Sequence, residues 1–165
     1  MMEVRRLTRA DTGIYRASRL EALQCEPTTF GGSFEEALNK GDNVFAAMLE
    51  RSAIFGAFDE FDLVGTASIQ WGALNKLSHK ALVWGMYVRA THRRCGIGSR
   101  LLSHLLDYAR GEEIEVIQLH VVTSNLPARR FYEKNDFTCY GQEERAMKID
   151  GQYFSEDLMQ RVLSH

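Results

Sequence analysis

Apolar and polar positions along the 165 residues switch period several times. Glu3 to Leu7 predicts a first strand. Thr8 followed by Asp11 is a capping-box pattern opening a helix that runs to about Cys25. Pro27 and the Gly31-Gly32 pair break the chain. Ser33 with Glu36 repeats the capping pattern before a short helix, and a further helical stretch covers Asn43 to Arg51. Ala53 to Phe58, Leu63 to Trp71 and Ala81 to Val88 read as strands. Leu101, Leu102, Leu105, Leu106 and Ala109 then fall on one face of a helix over Ile97 to Arg110. Ile114 to Val122 is rich in β-branched residues and reads as a buried strand. Pro127 leads a short helix to about Lys134. Phe137 to Gly141 and Arg145 to Ile149 are strand-like, Asp150-Gly151 is a hairpin turn, and Gln152 to Leu163 is the last strand. This order predicts an α+β fold. It is a mixed, mostly antiparallel twisted sheet of about seven strands with about four helices and one βαβ unit, in a single domain over 1–165.

Composition narrows the function classes. The formal net charge is −2, so no global basic field recruits nucleic acid. No apolar run is long enough to span a bilayer, and MMEVRRLTRAD lacks the apolar stretch of a signal peptide. No membrane partner is expected, and a cytoplasmic location is the default. The three cysteines are far apart, and the five histidines form no tight ligand spacing. Nothing in the sequence calls for a metal.

Candidate chemistry concentrates between Trp84 and Leu106. Arg93-Arg94-Cys95-Gly96-Ile97-Gly98-Ser99 joins a strand to a helix N-terminus. Glycine lets backbone approach a ligand closely, and the first free N–H groups of a helix attract phosphate. Arg89, His92 and Arg100 add nearby positive charge. The same residues also suit a plain tight turn with solvated arginines. A Walker A loop is absent. A dinucleotide fingerprint fails at Leu101, where a third small residue belongs, and no acidic residue follows Val121-Val122-Thr123.

R-x-x-G-x-G at this turn resembles the acetyl-CoA loop of the GCN5-related N-acetyltransferase (GNAT) family. Asn125-Leu-Pro-Ala128-Arg-Arg-Phe131-Tyr132 followed by Phe137 resembles that family's second motif, one helix and one strand later. Asp136 stands where the family usually has glycine, so Asn135-Asp136 is expected to supply the left-handed residue or a different local turn. The resemblance covers most of the chain and is sharpest over 82–137. It implies an acyl-CoA N-acyltransferase fold whose fourth and fifth strands splay apart. The pantetheine arm of acetyl-CoA would lie in that gap along Met86, Tyr87 and Val88. The pyrophosphate would sit on the N–H groups of the loop Arg94, Cys95, Gly96, Ile97, Gly98 and Ser99, with Arg93 also on the cofactor. Asn125 and Arg130 would reach the cofactor, although helix capping suits Asn125 equally and a solvated face suits Arg129 and Arg130 better.

The implied activity is transfer of acetyl to a primary amine by direct attack in a ternary complex. Tyr132 would protonate the leaving thiolate, its alternative being a core tyrosine. His120 would be a base or water-holder, its alternative a satisfied core histidine. Cys95 has no placed partner for a nucleophile role. The acceptor side would draw on Arg19 to Gly32, Trp71 to Leu74 and the hairpin near Tyr153. Glu21, Glu26 and Glu35 are readable as amine attractants or as solvated charges. A small-molecule amine is expected as acceptor. The competing readings are a protein N-terminus or lysine as acceptor, and a non-catalytic acyl-CoA sensor. The apolar 158–163 stretch permits a homodimer through C-terminal strands.

Overall fold

A computed structural model describes residues 1–164. The elements in chain order are β1 Met2–Arg6, α1 Thr12–Cys25, α2 Phe34–Leu38, α3 Asp42–Arg51, β2 Ala53–Asp59, β3 Asp62–Trp71, β4 Lys80–Val88, α4 Ile97–Gly111, β5 Val116–Val122, α5 Leu126–Lys134, β6 Thr138–Ile149 and β7 Gln152–Val162. The sheet order is β1-β2-β3-β4-β5-β7-β6, and only the β4–β5 pairing is parallel. The expected α+β class therefore holds, with five helices, α2 being the short one that opens at Ser33.

Local chemistry sets these boundaries. The Asp11 carboxylate accepts the Thr8 N–H at 2.7 Å and pairs with Arg5 at 2.8 Å. The first turn there is 3₁₀, over Arg9–Asp11, and α1 proper begins at Thr12. Ser33 Oγ accepts the Glu36 N–H at 3.1 Å, as its spacing predicts. The two strand-like stretches at 137–141 and 145–149 are one strand. The register shifts between Glu143 and Met147, so the polar run between them is a bulge on an edge strand rather than a loop.

Each face of the sheet carries its own core. Leu101, Leu102, Leu105, Leu106 and Ala109 of α4 pack with Tyr132 and Phe137 against Ala53, Ala57, Ile117 and Leu119. On the other face Tyr15 and Leu23 of α1, Ala37 of α2, and Phe45 and Leu49 of α3 cover Ile54 and Phe58. Alternation along β2 sends neighbouring residues to opposite cores. Strand β7 lies between β5 and β6, and its pairing with β6 begins at Gln160. Met159 and Leu163 are buried within the monomer.

Candidate active site

Strand β4 leaves its neighbour early. Lys80, Ala81 and Leu82 pair with Val116, Ile117 and Gln118, and from Val83 onward β4 has no partner on the β5 side. Beyond that point β5 continues to Val122 paired only with β7. The result is a wedge between the C-terminal halves of two parallel strands. A bulge sharpens it: Thr66 faces Tyr87 while Ser68 faces Trp84, so β4 holds an extra residue there. Gly85 takes φ +62, which an L side chain would resist, and its carbonyl accepts the Thr66 hydroxyl at 3.3 Å. The Arg89 N–H donates to Val64 O on β3 at 2.8 Å. Alternation along the strand therefore turns the Val88 N–H to the opposite edge, over the wedge.

The loop at the end of β4 presents a run of amides. Arg94 has φ 62 and Gly96 has φ 78, the latter as N-cap of α4. Among the described residues, the N–H groups of Arg94, Cys95, Gly96, Ile97, Gly98 and Ser99 meet no backbone acceptor, and the first capped donor is Arg100 to Gly96 O. Six consecutive free donors at the positive end of a 15-residue helix make an anion cradle. Helix α5 abuts it, because a Cβ built on Gly98 would lie 3.5 Å from Phe131.

Tyr132 is buried against Phe131 and Phe137, with ring centroids 5.2 and 5.6 Å away. Burial pushes its phenol above the ordinary range. Its hydroxyl has no hydrogen-bond partner among the described residues, yet it is not sealed off from the surface. Asn125 caps α5, its Oδ1 accepting the Ala128 N–H at 3.3 Å.

The sequence pattern of the acetyltransferase (GNAT) family matches residues 17–137, which contain both the wedge and the cradle. The chain belongs to this family. It is 29% identical over 105 residues to N-alpha-acetyltransferase 60 of Drosophila melanogaster, covering 62% of this chain but only 38% of that protein. Among solved structures, a GNAT acetyltransferase from Streptococcus pneumoniae superposes with TM-score 0.89 at 19% identity, covering 99% of this chain and 100% of that one. A Salmonella typhimurium protein whose structure holds its cofactor acetyl-CoA superposes with TM-score 0.86 at 19% identity, covering 100% of this chain and 95% of that one.

Within this GNAT fold, the basic cluster expected around the loop is mostly engaged by the protein itself. Arg93 donates to Val88 O at 2.8 Å and to Glu26 at 2.7 Å. Arg89 is held by Glu21 at 2.9 Å, His92 approaches Asp59 at 3.3 Å, and Arg100 donates to Met2 O at 3.1 Å. Arg94 and Arg130 stand exposed, without such partners among the described residues. Arg93 thus braces the end of α1 to the end of β4, and the cradle relies on amides more than on arginine side chains. Glu21 and Glu26 are accordingly neither solvated charges nor free amine attractants, since the arginines 67 and 68 residues further on neutralise them. The acidic partners lie too far along the chain for spacing to reveal.

His120 is 42% exposed and its Nδ1 lies 3.2 Å from Glu156, so it is no core histidine. Leu119 and Val121 are buried with α4, which leaves His120 on the α1 side of the sheet. Glu143 joins it, and ligand atoms of His120, Glu143 and Glu156 all lie within 4.8 Å of one another. Arg129 is no solvated residue either: it pairs with buried Asp157 at 2.6 Å and tethers α5 to β7. Cys95 is exposed and its thiol donates to Arg93 O at 3.5 Å.

The sequence places Arg19 at the start of the acceptor-side stretch and Trp84 at the start of the motif segment, but marks no role for either side chain, nor for Tyr15 or Ser68. They meet at the β4 bulge, on the α1 side of the sheet. A signal was available: Arg19 falls four residues after Tyr15 and four before Leu23, on the buried stripe of α1, where a cation is out of place.

Proposed function

We propose that the protein transfers an acetyl group from acetyl-CoA to a primary amine by direct attack. The observation that carries the reading is the β4–β5 wedge opening onto six free amides at the start of α4. Such a cradle suits a pyrophosphate. The unpaired backbone edge of Met86, Tyr87 and Val88 suits an extended arm with amides of its own, as in pantetheine.

In this reaction the amine nitrogen attacks the thioester carbonyl and forms the C–N bond. The carbonyl oxygen gains negative charge, and the Val88 N–H is the donor oriented to receive it. Collapse breaks the C–S bond, and Tyr132 gives its proton to the departing sulfur. A phenol held protonated by burial always has that proton at neutral pH. The amine proton leaves to water, with His120 and Glu156 ordering the path on the α1 side. Arg94 and Arg130 add loose phosphate contacts. A small-molecule amine suits the open α1 side, and the partial likeness to a protein-directed enzyme makes a peptide N-terminus the competing acceptor.

A thiol-release assay with acetyl-CoA and a panel of amines tests the activity, alongside NAD and ATP in a thermal-shift comparison. Binding of NAD or ATP but not CoA overturns the reading, and binding of acetyl-CoA without turnover of any amine favours the sensor alternative. Tyr132→Phe is expected to lower kcat about 10²–10⁴-fold while the acetyl-CoA Kd stays within about twofold. Ionisation of Tyr132 must leave kcat intact up to about pH 10. An essential acid titrating near pH 8 excludes it. In the same pH series, an unaltered acidic limb in His120→Ala removes His120 from the proton path.

A further inference from the structure

We propose that the guanidinium of Arg19, with Tyr15 and Trp84, forms a receptor for a carboxylate borne by the acceptor. The acceptor is then a free α-amino acid or a close analogue. The inference rests on the amine-acetylation reading and names its substrate class.

Arg19 differs from the arginines around it. Arg16 is held by Asp42, Arg89 by Glu21, and Arg93 by Glu26. Arg19 has no carboxylate and no hydrogen-bond acceptor among the described residues. Its guanidinium lies between two rings, 5.2 Å from the centroid of Phe30 and 5.6 Å from that of Trp84. Burial works against its charged form, lowering the pKa, and aromatic faces compensate only in part. Being arginine, it stays charged at neutral pH.

The neighbouring groups point the same way. The Tyr15 hydroxyl is fully buried, and though it stands beside Ser68 it meets no partner in hydrogen-bond geometry. The Trp84 Nε1–H, which can only donate, is also buried and unpartnered. The buried Tyr15 hydroxyl and Trp84 indole N–H are therefore both left open on the elements that hold the Arg19 guanidinium, which has no carboxylate among the described residues. Buried polar groups are nearly always paired, so a cluster of orphan donors marks the place of an oxygen-rich anion.

Position ties this receptor to the reaction. A Cβ built on Gly85 would lie 3.5 Å from Arg19 Nη1 and 3.4 Å from Ser68 Oγ, and one on Gly32 would lie 3.6 Å from Arg19 Nη2. The guanidinium is thus lodged between the β4 bulge and the α1–α2 loop. Gly85 precedes Val88 by three residues, roughly 10 Å of strand. The guanidinium, a carboxylate paired with it and the α-amine two bonds further on together extend along that stretch toward the thioester beside Val88. A peptide N-terminus has an amide in place of that carboxylate and forgoes the ion pair.

The test compares the twenty free amino acids with their α-amides in the thiol-release assay, for wild type, Arg19→Gln and Arg19→Lys. With the best amino acid, wild type is expected to favour the acid over its amide about 10–100-fold in kcat/KM. Arg19→Gln abolishes that preference, chiefly through KM, leaving the rate on the amide and the acetyl-CoA Kd within about threefold. Arg19→Lys recovers only part. Equal use of acid and amide by wild type, or equal loss on both in Arg19→Gln, overturns the receptor. So does preference for 1-aminoalkylphosphonates or for peptides over amino acids. Should no amine be turned over, saturation-transfer NMR with the N-acetylated amino acids and their amides still decides it. Arg19-dependent binding of the acids alone supports the receptor while the enzymatic reading fails. Binding that ignores the carboxylate, or no binding, rejects it. Retained acetyl-CoA binding certifies that each variant is folded.

Discussion

Asp136 occupies a left-handed backbone position, φ 63, where the family resemblance calls for glycine. The turn is otherwise that of a helix end, with Asp136 N–H donating to Glu133 O and Phe137 N–H to Tyr132 O, both at 3.1 Å. An aspartate tolerates this region better than most residues, yet a Cβ is strained there. Asp136→Gly should therefore stabilise the protein by about 0.5–1 kcal/mol, the relief being partly offset by extra freedom of the unfolded chain. Urea titration of the two proteins checks it. No stability gain would mean that the 3.8 Å approach of Arg161 to Asp136 outweighs the strain. The loop arginines carry a second residue-level lesson. Their number in the sequence suggested a phosphate clamp, but acidic residues remote in sequence hold Arg89 and Arg93.

Among elements, α4 and α5 do different work from similar-looking starts. The first amides of α4 follow a glycine with no side chain to cap them and stay free, whereas α5 is closed by Asn125. Asn125→Ala should thus cost about 1 kcal/mol of stability through the lost cap. The acetyl-CoA Kd, measured by calorimetry, should stay within about twofold. A tenfold weaker Kd at unchanged stability would instead place Asn125 on the cofactor. Both helices were legible in sequence because their signals are local: Pro127 after a capping asparagine, and a five-residue apolar stripe. β6 runs unbroken through its polar stretch, which side-chain pattern does not announce, because an edge strand pairs through its backbone whatever its side chains are.

Across the whole molecule, two cores on opposite faces of one sheet each enclose a phenol that burial holds protonated. The Tyr15 phenol is pushed up to about 12, and the Tyr132 phenol is raised as well. Both folded-state values exceed the unfolded value near 10, so the native state binds more protons above that pH. Their stabilisation is complete below about pH 10 and is lost as pH rises from there. Tyr15 alone accounts for about 2–3 kcal/mol of that loss by pH 12. Denaturation midpoints at pH 8, 10 and 11 should fall, and Tyr15→Phe should flatten the fall. At pH 7 the same substitution deletes an orphan hydroxyl and should leave stability unchanged or raised by up to about 1 kcal/mol. If midpoints stay flat to pH 11, the phenols are not held as described.

The sequence by itself determined the element order, the βαβ unit, the glycine turn and the Asn125–Tyr132 motif. Each of these rests on periods and neighbours within a few residues. Tertiary structure alone decided which charges are free. Among the described residues Arg19 meets no carboxylate, because the chain brings Phe30 and Trp84 to it while Glu21 and Glu26 pair with Arg89 and Arg93. Glu21 and Glu26 are occupied because β4 and the loop after it return to α1. Strand pairing decided the rest, ending the β4–β5 ladder at Leu82 and so opening the wedge. Hydrogen-bond register and ion pairing are made between residues far apart in the chain, so no local pattern encodes them.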